Sequence, residues 1–324
     1  MAIDWKALHT TVVGTGSIGR RHIRVLRSLG VKNMSICEPV KRNREFCLSE
    51  GSVTKVFTDY KDVLNERPDA VIICTPTKYH IPMAIEALQH GIHVLCEKPL
   101  SNTLERVDEL AKVIQESQKV FMVAFCFRYH EGLTKAKDFL TKGRIGPLLS
   151  IRCSMGENIA LVMPDYKNLY YIQEGGAFEL VHEIDLACWF AGMEATEVQS
   201  MYGAYSSLGF TAPDLVEINL RFGDKCVGNV HLDFFSIPRT RVTELKGEEG
   251  TIKIEFACWD ECTVSVYNKL EQKWEIETIK TERDSMFRQE DTEFLQACVS
   301  KGKVRCPLSE AIKSQKILQA CITT

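Results

Sequence analysis

The first third of the chain alternates short β-rich apolar runs with segments whose apolar residues recur at helical spacing, and no other feature restricts the fold as much. Thr10-Val13, Met34-Cys37, Ala70-Cys74, His93-Cys96 and Val120-Phe125 read as buried strands. Between them, Ile18-Leu29, Arg42-Glu50, Tyr60-Asn65, Ile81-His90 and Leu104-Ser117 read as helices. Strands separated by a helical crossover pair in parallel, so an α/β fold with a doubly wound parallel sheet is expected here.

After Phe127 the rhythm changes. Helices are expected at Glu131-Lys142 and Glu179-Phe190, and a strand at Leu148-Gly156. From Glu197 to Ile279 strands follow one another without helices between them, which predicts a large, mostly antiparallel open sheet. Two more helices, Met286-Ser300 and Ser309-Ala320, close the chain. With 324 residues and a usual domain of ~150, two domains are expected, 1–126 and 127–324.

Composition narrows the function classes. Forty Lys+Arg against 43 Asp+Glu leave a net charge of −3, no chain-wide basic field for nucleic acid. No apolar run reaches the ~20 residues of a spanning helix, so no membrane partner is expected. The thirteen cysteines are scattered, many in apolar runs where a thiol packs as a small hydrophobe. A reducing, cytoplasmic setting is expected, without a disulfide framework. Cys258 and Cys262 lack a second pair or a histidine cluster nearby, so no metal site is expected.

The first strand runs into Gly14-Thr15-Gly16-Ser17-Ile18-Gly19 and then a helix. Gly14 suits a tight turn, Gly16 a close approach of backbone to a pyrophosphate, and Gly19 close packing of helix on strand. The N–H groups at the helix start, around Ser17 and Ile18, suit an anion. Glu38 ends the second strand, 24 positions after Gly14, where a carboxylate accepts from ribose hydroxyls and repels a 2′-phosphate. NAD is therefore expected over NADP, although Lys41, Arg42 and Arg44 could also clamp the extra phosphate.

Two segments carry reactive groups. Cys96-Glu97-Lys98-Pro99-Leu100 delivers a lysine at the carboxyl edge of the parallel sheet, where open α/β folds bind ligands; its bland reading is a surface turn. In Gly175-Gly176-Ala177-Phe178-Glu179-Leu180-Val181-His182-Glu183-Ile184-Asp185, one helix would put Glu179, His182 and Asp185 on a single ridge suited to a proton relay. A solvated helix edge is the alternative. Asn158, Asp165, Tyr166, Tyr170 and Tyr171 stand in the polar, aromatic connection before Gly175 and could meet a sugar, or serve as loop or intersubunit residues.

Taken in order, Gly14-x-Gly16-x-x-Gly19, Cys74-Thr75-Pro76 with His80, Glu97-Lys98-Pro99, and Gly175-Gly176 with His182 and Asp185 resemble the glucose–fructose oxidoreductase / inositol dehydrogenase / MocA family over essentially the whole chain. The resemblance implies a Rossmann domain and a C-terminal α/β domain whose open sheet forms homodimer or homotetramer contacts. It implies a hydride passed between nicotinamide and a secondary alcohol of a sugar, a sugar derivative such as a nucleotide sugar or sugar acid, or a cyclic polyol. Lys98 would bind the reacting hydroxyl and His182 would be the acid/base. Thr75, Pro76, His80 and Glu97 would line the dinucleotide, and Arg128 would lie near cofactor and substrate. Where many members place an aspartate four residues before the histidine, this chain has Phe178, so the role of Glu179 stays open. Two rivals are a dinucleotide-binding regulator without turnover and a dihydrodiol-type carbonyl/alcohol dehydrogenase.

Overall fold

The computed structural model describes residues 4–49, 51, 53–101 and 103–323, apart from the side chains of Tyr170, Tyr171, Gln173 and Thr323. The chain divides into two compact units: Met1–Cys126 with Asp284–Gln315, and Phe127–Arg283 with Lys316–Thr324.

In the first unit, six strands alternate with helices: β1 (Thr10–Val13), α1 (Ser17–Ser28), β2 (Met34–Cys37), α2 (Lys41–Ser49), β3 (Lys55–Phe57), α3 (Tyr60–Glu66), β4 (Ala70–Ile73), α4 (His80–Gln89), β5 (His93–Glu97), α5 (Val107–Ser117) and β6 (Phe121–Ala124). All pairings are parallel, in the order β3-β2-β1-β4-β5-β6. Helices on both faces leave no wet side, and Val12, Ile36, Ile72, Leu95 and Met122 are wholly buried. The order reverses between β1 and β4, so the loops leaving their carboxyl ends, after Gly14 and Cys74, border the crevice of a doubly wound sheet. The three-residue β3 escaped the sequence reading because one of its residues is exposed and another only half-buried, leaving no apolar run.

The second unit contains α6 (Glu131–Thr141), β7 (Leu148–Gly156), the short α7 (Ile159–Val162) and α8 (Tyr170–Gly175), α9 (His182–Ala191), and the strands β8 (Glu197–Gly203), β9 (Leu215–Phe222), β10 (Cys226–Asp233), β11 (Thr240–Gly247), β12 (Gly250–Glu255), β13 (Glu261–Asn268) and β14 (Lys273–Lys280). Its sheet runs β14-β13-β12-β11-β7-β10-β9-β8 and is antiparallel except where β7 lies parallel to β10. Along β9 and β11 buried residues alternate with more exposed ones, the mark of a sheet covered on one face. The helices α9, on β7 and β10, and α6, on β12 and β13, supply that cover.

Two boundaries differ from the sequence reading. The single helix expected over Glu179-Phe190 is a 3-10 turn, Gly176–Glu179, followed by a break at Leu180 before α9 begins at His182. The cause is local: Gly176 adopts a left-handed φ of +56°, and Ala177 N–H donates to Pro213 O at 2.7 Å, pinning this segment to another loop. The segment 284–315, expected in the second domain from its place in the chain, returns to the first unit. It contains most of α10 (Arg283–Ser300) and the first half of α11 (Leu308–Thr323). Val123 N–H donates to Cys306 O at 3.0 Å, and Asp291 bonds His22 on α1 at 2.9 Å, ties that no local pattern could reveal.

Phe294 on α10 is completely buried. Phe294→Ala should cost about 3–5 kcal/mol in urea unfolding; a loss under about 1 kcal/mol, the scale of a surface change, would contradict a core role for α10.

Candidate active site

The first unit brings its glycine-rich turn to the crevice, and each glycine is required for a separate reason. Gly14 has φ +86°, and a Cβ there would lie 2.7 Å from Cys74 O. A Cβ on Gly19 would lie 2.0 Å from Gly14 O, so only glycine lets α1 pack against the turn. At Gly16 a Cβ would meet no atom within 4 Å, leaving open space where backbone can approach a diphosphate. Gly16 also caps α1 without a side-chain hydrogen bond, so the first N–H groups, around Ser17 and Ile18, are met by no capping side chain. These features fit a dinucleotide.

Glu38 lies at the same crevice and is bound to the turn. One carboxylate oxygen accepts from Thr15 N–H (2.8 Å) and Thr15 Oγ1–H (2.9 Å), and the other from Val40 N–H (2.9 Å). A carboxylate has about four acceptor positions, so these bonds leave capacity for a ribose hydroxyl. Arg44 donates to the carbonyls of Glu38 and Pro39, and Lys41 lies 3.7 Å from Glu45 on the exposed face of α2. Two of the three cations that could have clamped a 2′-phosphate are therefore otherwise engaged.

The loops after β4 and β5 are tied together by His80, whose ring nitrogens lie 2.7 Å from Pro99 O and 2.8 Å from Thr75 O. His80 is buried, so it acts as a strut behind Thr75 and Pro76 and not as a lining side chain. Lys98 is half-buried at the end of β5, before a cis Lys98–Pro99 peptide. Glu97, expected beside the dinucleotide, is buried: one oxygen accepts the Lys98 N–H at 3.0 Å and the other lies 3.2 Å from His22 Nε2. His22 and Asp291 were missed in the sequence; the only trace was a histidine on the apolar side of α1.

In the second unit α9 is anchored by buried charges at its first turn. Arg128 is 1% exposed and donates through Nε and Nη2 to the two oxygens of Asp185, at 2.9 and 2.7 Å. Arg241 Nε lies 2.7 Å from Glu183 Oε1. Arg128 and Asp185, expected at the cofactor or substrate, are thus joined to each other inside the unit. Two carboxylates within three residues of His182 hold the helix in place.

His182 is half-buried, with its ring against Phe127 at a centroid distance of 4.3 Å. Arg241 stacks on Phe127 at 4.4 Å. A second histidine, His130, stacks on Phe256 at 4.6 Å, and burial pushes its pKa down to about 4, so it packs as a neutral ring. The expected ridge does not form. Glu179 belongs to the preceding turn, and a Cβ on Gly175 would fall 2.6 Å from Glu179 Oε1, so its carboxylate folds back over that glycine. Asn158 Oδ1 accepts Leu161 N–H at 3.3 Å, capping α7. Tyr166 is buried, donating to Leu208 O at 2.8 Å, while Asp165 is exposed. The side chain of Tyr171, a further candidate, lies outside the described residues.

A glycine-rich crevice at a doubly wound switch point, with a lysine at the end of a neighbouring strand, defines a dinucleotide-dependent oxidoreductase domain. Residues 8–125 match the family described as oxidoreductase family, NAD-binding Rossmann fold, and residues 133–253 match the GFO/IDH/MocA C-terminal domain. The chain belongs to the GFO/IDH/MocA oxidoreductase family. It is 29% identical over 234 residues to inositol 2-dehydrogenase of Salmonella typhimurium, covering 70% of this chain and 68% of that protein. It is 27% identical over 260 residues to 2,7-anhydro-N-acetylneuraminate hydratase of Mediterraneibacter gnavus, covering 77% and 68%. The crystal structure of an Agrobacterium radiobacter oxidoreductase in complex with NAD+, L-tartaric acid and magnesium shares the fold, with a TM-score of 0.87 over 98% of this chain and 95% of that one at 15% identity.

Asp185→Ala leaves a buried guanidinium without this carboxylate and should cost about 3–5 kcal/mol in chemical denaturation. Gly16→Ala should keep wild-type stability while weakening NAD binding by calorimetry, whereas Gly19→Ala should lower the melting temperature outright because its methyl meets backbone. Equal melting temperatures for the two glycine variants would refute the separate roles.

Proposed function

We propose that this chain oxidises, reversibly, a secondary alcohol of a sugar, a sugar derivative or a cyclic polyol, with nucleotide sugars and sugar acids inside the substrate range. The observation that carries the reading is Lys98 at the carboxyl end of β5, beside the crevice with the glycine-rich turn. When bound, NAD would supply the acceptor for the hydride leaving the substrate carbon.

The work of this chain's own residues follows from their chemistry. Gly14, Gly16, Ser17, Ile18 and Gly19 hold the diphosphate by backbone, Glu38 accepts from the adenosine ribose, and Thr75 and Pro76 border the dinucleotide. Lys98 places an ammonium on the reacting oxygen and stabilises the alkoxide as it forms. His182 accepts the hydroxyl proton in oxidation and returns it in reduction. Arg128 and Asp185 position α9, and Glu179 with Gly175 shapes the turn before it. Asn158 and Tyr171 remain candidates for substrate hydroxyls.

The open face of the eight-stranded sheet is our candidate for homodimer or homotetramer contacts. It bears Trp274, Ile276, Met201 and Val227 with large exposed surfaces. Among the described residues no helix is long and apolar enough to cross a membrane. The scattered thiols support a reducing cytoplasm.

Mixing the protein with NAD and a panel of polyols, sugar acids and nucleotide sugars should raise the absorbance of reduced cofactor. Lys98→Ala and His182→Ala should each lower kcat by about 10²-fold or more while NAD still binds. Cofactor binding without turnover of any substrate, unchanged by either substitution, would favour a regulator. Consumption of reduced cofactor with aromatic carbonyls and not with sugars would favour a dihydrodiol-type enzyme.

A further inference from the structure

Behind the crevice of the first unit, four ionisable side chains meet out of water. His22, Asp291 and Glu290 are wholly buried, and Glu97 is 5% exposed. They come from α1, α10 and the end of β5. His22 Nδ1 lies 2.9 and 3.1 Å from the two oxygens of Asp291, and Nε2 lies 3.2 Å from Glu97 Oε1. The far oxygen of Glu97 accepts the Lys98 N–H at 3.0 Å. Phe287 presses edge-on against the His22 ring at 5.8 Å and limits its rotation.

We infer that His22 and Asp291 are positioning residues for Lys98: through Glu97 they fix the peptide from which the lysine side chain leaves β5. The inference rests on the proposed reading of Lys98 as the group on the reacting oxygen.

Both ring nitrogens face carboxylate oxygens, and both can donate only when the ring is an imidazolium. Burial works against that charge, but Asp291 and Glu97 outweigh it and hold His22 well above its ordinary pKa. With Nδ1 donating to Asp291, no ring lone pair is left for a cation. Burial pushes the carboxyls of both acidic neighbours on α10 up, but Asp291 is bonded to His22 and Glu290 is not. Neither oxygen of Glu290 has a hydrogen-bond partner among the described residues, and burial pushes its carboxyl well above the usual range, which favours the neutral acid. Asp291 and Glu290, adjacent on one helix, therefore serve as test and control.

The experiment uses the full chain, NAD and whichever substrate the wild type turns over. Asp291→Asn removes the charge that holds His22 and should lower kcat about ten- to a hundredfold without changing KM for NAD. Asp291→Glu should recover part of that loss. Glu290→Gln exchanges one neutral group for another and should keep wild-type kcat. Independently of turnover, nitrogen-15 NMR at about pH 8 should find both ring nitrogens of wild-type His22 protonated, and Asp291→Asn should shift the Lys98 amide resonance. A singly protonated His22, an unmoved Lys98 amide, or equal kcat losses in Asp291→Asn and Glu290→Gln would overturn the proposal. A Lys98→Ala enzyme as active as wild type would instead overturn the reading of Lys98, and the NMR measurements would still decide whether His22 and Asp291 order the peptide.

Discussion

A charge removed from water must find its opposite within hydrogen-bonding reach, and both units meet this constraint near a candidate site residue. Arg128 satisfies it with the two oxygens of Asp185, three residues beyond His182. His22 satisfies it with Asp291 and Glu97, the latter adjacent to Lys98. An unpaired buried ion costs several kcal/mol, so such pairs tolerate few alternative geometries. Elements that share a pair are held in register, and a side chain within three residues of it inherits that order. The lysine and the histidine stay accessible because other residues carry the buried charge.

The parts of the fold written in local patterns could be read without coordinates. Strand–helix alternation predicts the parallel sheet, and the three glycines predict a turn whose steric reasons Gly14 and Gly19 bear out. Legibility ends where two distant segments decide an outcome. Asp185 and Arg128 look like a relay group and a ligand cation because each is polar, yet their partner is 57 positions away. The segment 284–315 looks like the tail of the second domain until His22 claims Asp291. Asn158 is ambiguous for a smaller reason: the cap of a four-residue helix has no periodicity to reveal it.

Choice of cofactor turns on a few hydrogen bonds near the same turn. Glu38 is fastened by Thr15 and Val40, so its carboxylate cannot easily swing away to admit another anion. Arg44 is drawn back onto two carbonyls of its own connection. Fixed negative charge with a neighbouring cation already engaged favours a free ribose hydroxyl over a phosphate. Sequence spacing alone favours NAD but leaves NADP open, because Lys41, Arg42 and Arg44 stand only a few positions from Glu38.

The departure at Phe178 bears on how the histidine is oriented. A carboxylate four residues before an imidazole would lie on its side of a continuous helix, but here the helix starts at His182 itself and Phe178 packs edge-on against Tyr202. Orientation is supplied from elsewhere. Phe127 lies along the His182 ring with a 31° tilt, Arg241 stacks on that same phenyl, and Arg241 also binds Glu183 on the first turn of α9. The ring and the helix that bears it are thereby fixed through one arginine. An acidic residue at position 178 is therefore not needed to hold the imidazole in place.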